Sequence, residues 1–300
     1  MCAGASTEGG SGSIRVGVAG WDYPDWEGLV YPRAGGLDRL AYLARFVDVV
    51  EINSTFYRPN APRAAERWAR TALDAGGLRF TAKAHRSWTH EATDDLGEAV
   101  ALALAGLRPL REAGVLAAVL VQFPQRFHAG SRAYEHLRRL AEHSLGWPVA
   151  IEVRHAGWNA PEAHAQVRQC GFAWCVVDQP RIAGSTLGRE PVATSTLGYL
   201  RLHGRNTPEW FRQGAGRDAR YDYRYDRREV AELVATARTL AGMCEQVVVV
   251  YNNHFRGQAL ANALETRFAL TGTRAVAPAA LMRAYPDLAD SADPAEPALF

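Results

Sequence analysis

The sequence predicts an α/β fold, a TIM-like (β/α)8 barrel. Eight short apolar runs recur along the 300 residues, and amphipathic segments of helical spacing separate most of them. Such an alternation of strands and helices indicates a parallel sheet with right-handed crossover connections. Eight of these units within about 270 residues match the size at which a parallel sheet closes into a barrel.

The strands are predicted from runs in which Val, Ile, Leu and Ala follow one another almost without interruption. Runs of this kind are typical of parallel strands, because helices cover the sheet and leave no polar face. The predicted strands are Ile14–Ala19, Val47–Ile52, Arg79–Ala84, Leu116–Gln122, Val149–Val153, Phe172–Asp178, Tyr199–His203 and Gln246–Tyr251.

The helices are predicted from apolar residues that recur at intervals of three and four positions. The predicted helices are Leu37–Phe46, Arg63–Ala75, Leu96–Ala113, Ser131–His143, Pro161–Cys170, Asp226–Ala241 and Gln258–Leu270. Between the sixth and seventh strands, Gln179–Thr196 is rich in Gly, Pro and Thr and shows no convincing helix. Gly204–Tyr225 is a long polar and aromatic loop, and long loops in compact domains are usually functional.

An open, doubly wound sheet is the main competing fold. That fold is expected to carry a glycine-rich phosphate-binding turn after its first strand. The corresponding segment, Gly17–Trp21, has no GxGxxG pattern, so the closed barrel is favoured. We expect a flexible N-terminal segment at 1–13, a single barrel domain at 14–285 and a flexible C-terminal tail, rich in Pro, Ala and Asp, at 286–300.

The composition limits the partners and the location that fit this chain. The formal net charge is only +2, which does not favour a broad contact with nucleic acid or with an anionic membrane. No segment approaches the roughly 20 apolar residues of a membrane span, and residues 1–13 do not resemble a signal peptide. The four cysteines have neither metal-binding nor disulfide-framework spacing, so we expect reduced thiols and a cytoplasmic protein.

Charged and amide side chains stand at the ends of most predicted strands. Barrel enzymes build their active sites at the carboxyl ends of the strands, so these side chains are expected to meet at one mouth. Alternation along each strand puts Glu152 on the same face as Arg154, and Arg201 on the same face as His203. Because buried charge is costly unless it is paired, the pattern as a whole predicts a functional site.

The predicted site combines cations, amides, carboxylates and aromatic rings. Guanidinium and ammonium groups suit the recognition of phosphate or carboxylate, and rings suit a planar or ring-shaped ligand. The predicted substrate-binding residues are Trp21, Asn53, Tyr57, Arg58, Lys83, Arg154, Arg201, Arg205, Asn252, Asn253 and His254. The predicted catalytic residues are Glu51, Glu152, His155, Asp178 and His203.

The expected roles of the catalytic residues leave alternatives open. One of the three carboxylates would act as a general base, and His155 or His203 as a general acid. For any single arginine–carboxylate pair, a structural ion pair explains the sequence equally well. A divalent metal is a further alternative, but no spacing such as HExxH supports one, so no metal ligand is predicted and the cofactor is unknown.

Eight collinear segments carry a family resemblance: Gly17–Tyr23, Val50–Arg58, Phe80–Ala84, Val121–Pro124, Glu152–His155, Val177–Asp178, Leu202–Arg205 and Tyr251–His254. Together they resemble the YecE-like family of uncharacterised barrel proteins (domain of unknown function 72). The resemblance implies a TIM-barrel-like fold and carries no established reaction. Ala19 stands where the family usually shows a serine, which argues against an essential nucleophile at that position.

Three functions fit these observations. The leading hypothesis is an enzyme that acts on an anionic, phosphorylated sugar- or nucleotide-like substrate at the C-terminal face of the barrel, with hydrolase, lyase and isomerase chemistry all open. One alternative is a metal-dependent phosphodiesterase or nuclease. The other is a non-catalytic protein that binds a nucleotide or nucleic acid through the loop arginines Arg212, Arg217, Arg220 and Arg224.

Overall fold

The computed structural model describes residues 12–33, 35–90, 95–181, 188–210 and 217–295. Eight parallel strands form a closed barrel in which consecutive strands are neighbours and the last strand pairs with the first. The barrel strands are β1 (Ser13–Ala19), β2 (Val49–Ile52), β3 (Arg79–Lys83), β4 (Leu116–Gln122), β5 (Val149–Glu152), β6 (Ala173–Asp178), β7 (Leu197–Leu202) and β8 (Gln246–Tyr251). The predicted barrel fold is confirmed.

The helices follow the strands and pack around the barrel. They are α1 (Arg39–Leu43), α2 (Pro62–Asp74), α3 (Leu96–Glu112), α4 (Ser131–His143), α5 (Pro161–Gln169), α6 (Thr207–Trp210), α7 (Arg217–Arg220), α8 (Arg227–Ala241), α9 (Gln258–Thr271) and α10 (Ala279–Ala284). Proline occupies the first turn of α2 and α5, where its missing N–H is not needed. Asp226 and Glu229 form a capping box that fixes the start of α8.

The two irregular connections behave differently from each other. In the described parts of the β6–β7 connection, residues 179–181 and 188–196, there is no helix, in agreement with the sequence. The connection from β7 to α8 was expected to be a plain loop, but it contains the short helices α6 and α7. Residues 182–187 and 211–216 lie outside the described residues.

The two ends of the predicted barrel domain need small corrections. Ser13, placed by the sequence in a flexible segment, is the first residue of β1, and residues 1–11 of that segment lie outside the described residues. Residues 286–295, placed in a loose tail, form a 3-10 helix at Pro286–Asp290 and strand β10 (Ala292–Pro294). Strand β10 pairs with β9 (Ala275–Ala277), so the predicted boundary at 286 is too early. No helix in the described ranges has the length and apolarity needed to cross a bilayer.

Side chains from distant strands meet inside the barrel. The Tyr199 hydroxyl on β7 lies within hydrogen-bond distance of the Glu51 carboxylate on β2 and of the Thr81 hydroxyl on β3, at 3.0 Å and 2.9 Å. All three residues are buried. The interior therefore contains a polar layer above its apolar residues, and this layer forms the base of the site described next.

Candidate functional site

A cavity of about 300 Å³ lies at the carboxyl-terminal mouth of the barrel. Segments that follow β1, β2 and β8 line it, together with the last residues of β3 and β4 and one loop tyrosine. The lining residues are Gly20, Trp21, Asp22, Tyr23, Asn53, Ser54, Tyr57, Lys83, Gln122, Arg201, Tyr221, Asn252 and His254. The structure thus brings together part of the predicted site at the place where barrel enzymes carry their active sites.

Arg201 lies at the base of this cavity and holds two buried glutamates. Its Nε and Nη2 donate to the two carboxylate oxygens of Glu51, at 2.9 Å and 2.5 Å. Its Nη1 donates to Glu152 at 3.0 Å. Burial opposes the charge of the guanidinium, but Glu51 and Glu152 outweigh burial and raise the pKa of Arg201. Arg201 is therefore a permanent cation whose donors are largely used by protein carboxylates.

A second arginine, Arg154, neutralises Glu152 from the other side. Arg154 forms an ion pair with Glu152 and donates to Gln179 Oε1 at 2.5 Å. Burial alone would raise the pKa of Glu152, but Arg154 and Arg201 hold it well below its usual range. Glu152 is thus ionised at neutral pH, and a carboxylate stabilised in this way is a weak base. The proposed general-base role suits it poorly.

His203 is buried between the same charged groups. Its Nε2 lies 3.0 Å from Arg154 Nη2 and 3.3 Å from Arg201 Nη1, and its Nδ1 lies 3.0 Å from the Asn252 amide nitrogen. Burial and then Arg154 lower the pKa of His203 to about 3. The imidazole is therefore neutral at neutral pH, and it suits a positioning role better than the predicted role of proton donor. We call Glu51, Glu152, Arg154, Arg201 and His203 the central network.

Lys83 is the last residue of β3 and faces the cavity. Its Nζ lies 4.3 Å from the centroid of the Phe56 ring, and it forms no ion pair with a carboxylate of the described residues. Burial, and next the charge of Arg201, lower the pKa of Lys83 to about 8. Lys83 therefore differs from the arginines of the central network, which are engaged by glutamates.

Aromatic and amide groups form the wall of the cavity. Tyr57 stands at the rim with 64% of its surface exposed. Trp21 packs edge-to-face on Trp68, with ring centroids 5.6 Å apart, and Tyr23 stacks on His254 at 4.3 Å. These contacts fix three rings at the mouth and leave one, Tyr57, accessible to a ligand.

Asp178 and Arg205, predicted at the same mouth, belong to a different cluster. Arg205 donates to both carboxylate oxygens of Asp178 and to Glu229 at 2.8 Å. Tyr225 donates to Asp178 at 2.9 Å, and Arg189 forms a further ion pair with Asp178. We call Asp178, Arg189, Arg205, Tyr225 and Glu229 the outer network. It borders a separate cavity of about 170 Å³ that Leu233 and Thr236 of α8 also line, so the expected convergence on one mouth is wrong for Asp178 and Arg205.

The predicted residues Glu51, Glu152, Arg154 and His203 contact Arg201 or one another and do not themselves line the cavity. Three other predicted residues lie outside the lining and outside both networks. His155 accepts a hydrogen bond from the Gly157 backbone N–H at 3.1 Å and stacks on His128. Asn253 is buried, and its amide donates to the Tyr223 carbonyl at 2.8 Å. Arg58 is exposed and does not line the cavity. The expectation that these three side chains line one mouth is therefore wrong.

A family model described as "Protein of unknown function DUF72" matches residues 15–284. The chain belongs to the DUF72 family. The resemblance read from the sequence motifs is therefore confirmed, and it extends over nearly the whole barrel of this DUF72 protein.

Relatives of known sequence or structure agree with this assignment. The UPF0759 protein YunF of Bacillus subtilis (strain 168) is 28% identical over 268 residues, which are 83% of this chain and 92% of YunF. A crystal structure of a DUF72 family protein from Thermotoga maritima MSB8 is 31% identical with a TM-score of 0.76, and covers 86% of this chain and 98% of that one. A DUF72 family protein from Enterococcus faecalis V583 is 26% identical with a TM-score of 0.75, over 86% of this chain and 95% of that one.

Several cavity residues of this DUF72 protein were not predicted from its sequence. Gln122 ends β4, lines the cavity and accepts from Arg201 at 3.2 Å. Gln122 is a polar residue at the end of a strand, which is the pattern that identified the other site residues, so it could have been predicted. Tyr221 lies in the long connection after β7, and no spacing in the sequence indicates that this connection folds back over the mouth.

The described residues contain no group of three or more His, Cys, Asp or Glu side chains placed to hold a metal ion. Glu51 and Glu152, the two carboxylates of the central network, are oriented by arginines.

Proposed function

We propose that this DUF72 protein is an enzyme that acts on a small anionic substrate, a phosphorylated sugar- or nucleotide-like molecule, in the cavity at the carboxyl ends of the strands. The observation that carries the proposal is the charge balance of the site. Three cations, Lys83, Arg154 and Arg201, stand against the two carboxylates of the central network, and His203 is neutral. Lys83 and Arg201 line the open cavity, and the lining carboxylate Asp22 is paired with Arg39.

An anion is the ligand that this arrangement stabilises best. The glutamates hold Arg154 and Arg201, so the charge left for a ligand is that of Lys83. A charge-assisted hydrogen bond is about twice as strong as a neutral one. In a partly buried site the attraction is also screened less than at an open surface.

The rest of the lining supports a polar ligand with a flat face. Amide groups of Asn53, Gln122 and Asn252 can donate and accept hydrogen bonds with hydroxyl groups. The exposed ring of Tyr57 can stack on a sugar or a base. A cavity of about 300 Å³ suits a small molecule rather than a polymer.

The central network supports catalysis more than stability. A buried ion-pair cluster adds little net stability, because desolvation of the charges offsets their attraction. It does fix Arg201 and His203 in single orientations, as a preorganised active site requires. The two alternative functions have less support, since the described residues hold no metal ligand set and the loop residue Arg224 is occupied by Glu265 and Asp287.

The test is the binding of glycerol 3-phosphate, measured by isothermal titration calorimetry at pH 7. We expect Lys83→Met to weaken binding by at least about tenfold, the effect of one charge-assisted hydrogen bond. Arg58→Met is the matched control, because it removes the same charge from an exposed position outside the cavity. We expect it to change the affinity by less than about twofold.

Two results would contradict the proposal. The wild-type protein could fail to bind glycerol 3-phosphate, inorganic phosphate and simple carboxylates alike. Alternatively, Lys83→Met and Arg58→Met could weaken binding equally, which would mean that the anion responds to overall charge and not to the cavity.

A further inference from the structure

We infer that Lys83 is a catalytic amine that forms an imine with a carbonyl carbon of the substrate. The inference deepens the proposed function and rests on it. It narrows the substrate class to aldehydes or ketones that also carry an anionic group, and it assigns a reaction class, imine-based catalysis, to the cavity at the barrel mouth.

Lys83 is the only lysine in the chain, although the sequence contains 34 lysine and arginine residues. Arginine supplies every other basic side chain, including exposed ion pairs such as Arg138–Glu135 and Arg227–Asp290. Lysine and arginine both provide positive charge, but a guanidinium keeps its proton whereas an ammonium can lose it. The one position that uses an amine is the position that faces the cavity.

The surroundings of Lys83 match the two ways in which proteins activate an amine. These are removal from water and the presence of a neighbouring cation. The Phe56 ring covers the ammonium group at 4.3 Å, and Arg201 provides the neighbouring charge. Together they lower the pKa of Lys83 to about 8. A useful fraction of the amine is therefore neutral near neutral pH.

The nearby glutamates Glu51 and Glu152 raise the pKa of Lys83, but their effect is smaller than the lowering by burial and by Arg201. Glu51 is held by two donors of Arg201, and Glu152 is shared between Arg154 and Arg201. A carboxylate in direct contact with Lys83 would keep the amine protonated and unreactive. The arginines thus have a second effect, since they occupy the groups that would otherwise bind the ammonium.

The chemical step balances without an added oxidant or reductant. The lone pair of neutral Nζ attacks the carbonyl carbon, and a C–N bond forms. The carbonyl oxygen then leaves as water with two hydrogens that come from the amine nitrogen. The resulting imine takes up one proton and becomes an iminium, which withdraws electrons from the adjacent carbon.

The cavity suits a substrate of this kind. The iminium keeps the positive charge that Lys83 contributes, so the attraction for an anionic group persists through the reaction. Asn53, Gln122 and Asn252 can hydrogen bond to the carbonyl oxygen and to hydroxyl groups. A hydroxyaldehyde or hydroxyketone phosphate combines these features in one small molecule.

The test is reductive trapping of the wild-type protein. The protein is incubated with pyridoxal 5′-phosphate or with glyceraldehyde 3-phosphate, reduced with borohydride, and mapped by mass spectrometry. Because Lys83 is the only lysine, the N-terminal amine is the only other amine that forms an imine, and it is an internal reference. The same reaction in urea measures Lys83 without its folded surroundings.

We expect Lys83 to be labelled in the folded protein and barely labelled at pH 7 in urea. A pKa of about 8 gives roughly three hundredfold more neutral amine at pH 7 than the ordinary value of 10.5. We also expect pyridoxal, which lacks the phosphate, to label Lys83 about tenfold more slowly than pyridoxal 5′-phosphate. Lys83→Arg keeps the charge but has no amine that can form an imine, so it should abolish labelling at this position.

Failure of this inference can be told apart from failure of the proposed function. If glycerol 3-phosphate binds but neither carbonyl probe labels Lys83 faster in the folded protein than in urea, the imine is excluded and the anion site remains. If glycerol 3-phosphate, inorganic phosphate and simple carboxylates all fail to bind and Lys83 is not labelled, both are overturned.

Discussion

The central and outer networks are built from the same kinds of residue, yet only one of them faces the cavity at the barrel mouth. In the outer network Asp178 is contacted by Arg189, Arg205 and Tyr225, so its charge is matched by its own partners. Beside the central network a third cation, Lys83, faces the cavity and forms no ion pair with a carboxylate of the described residues, while the lining carboxylate Asp22 is paired with Arg39. Charged residues at strand ends therefore do not identify a ligand site by themselves. A buried charge without an opposite charge in contact, such as that of Lys83, does identify one.

Loss of the central arginine should have the largest effect on stability. Arg201→Met removes the cation from between Glu51 and Glu152, both of which stay buried. We expect a loss of about 3–5 kcal/mol in the free energy of unfolding, as for other broken buried ion pairs. The measurement is urea-induced unfolding at pH 7.

Arg205→Met is the matched variant in the outer network. Its side chain is 16% exposed, and Asp178 keeps Arg189 and Tyr225 as partners. The expected loss is about 1–2 kcal/mol. An equal loss of stability in Arg201→Met and Arg205→Met would mean that the two networks do not differ in the burial of their charges or in the partners that remain. The contrast between the two networks would then be wrong.

The acid sensitivity of the protein should come from the central network, with an effect close to that of Arg201→Met. The pKa of His203 is lowered from 6.5 to about 3 in the folded protein, so the unfolded chain binds more protons between these two values. Stability should therefore rise with pH from about 3 to 6.5, and His203 should contribute up to about 5 kcal/mol of that rise.

The check is the slope of unfolding free energy against pH in His203→Gln. This variant should have a shallower slope between pH 3 and 6.5 than the wild-type protein. Arg205→Met should keep the wild-type slope, because the outer network contains no histidine. A His203→Gln slope identical to that of the wild-type protein would show that the folded protein holds His203 with an ordinary pKa.

Most of the fold and the centre of the site could be predicted because both depend on local rules. Apolar runs and helical spacing are properties of neighbouring residues, and they located all eight barrel strands. Alternation along β7 placed Arg201 and His203 on one face, and the structure joins them at 3.3 Å. In each case the spacing of residues in the sequence matched the structural repeat of a helix or a strand.

The wrong predictions concern residues whose side-chain direction depends on a turn of the chain or on which alternate residues of a strand face the barrel interior. Asp178 ends β6, but Cys175 lies near Glu152 and Arg201, so the alternate residues Val176 and Asp178 face α8. Strand alternation alone would put Arg205 on the same face as Arg201. Gly204 adopts a φ of +88°, however, and turns the chain towards the outer network. Neither direction can be deduced from polar strand ends alone.

Lys83 shows a different kind of limit. The sequence placed it with the arginines as an anion-binding residue, because its charge was the property considered. What distinguishes it is the absence of a carboxylate partner in the described part of the chain, together with its contact with Phe56. A carboxylate partner or a covering ring comes from another part of the chain. Its presence or absence beside Lys83 is therefore known only from the three-dimensional structure.

The smallest expected effect is that of Asp178→Asn on ligand binding. Asp178 lies on the far side of the sheet from the cavity, and its arginine partners do not line that cavity. We expect the affinity for glycerol 3-phosphate to change by less than about twofold, because a rearranged outer network leaves Lys83 and Arg201 in place. Calorimetry at pH 7 checks this, beside Lys83→Met. A loss as large as that of Lys83→Met would mean that the outer network takes part in the site, and the separation between the two networks would no longer hold.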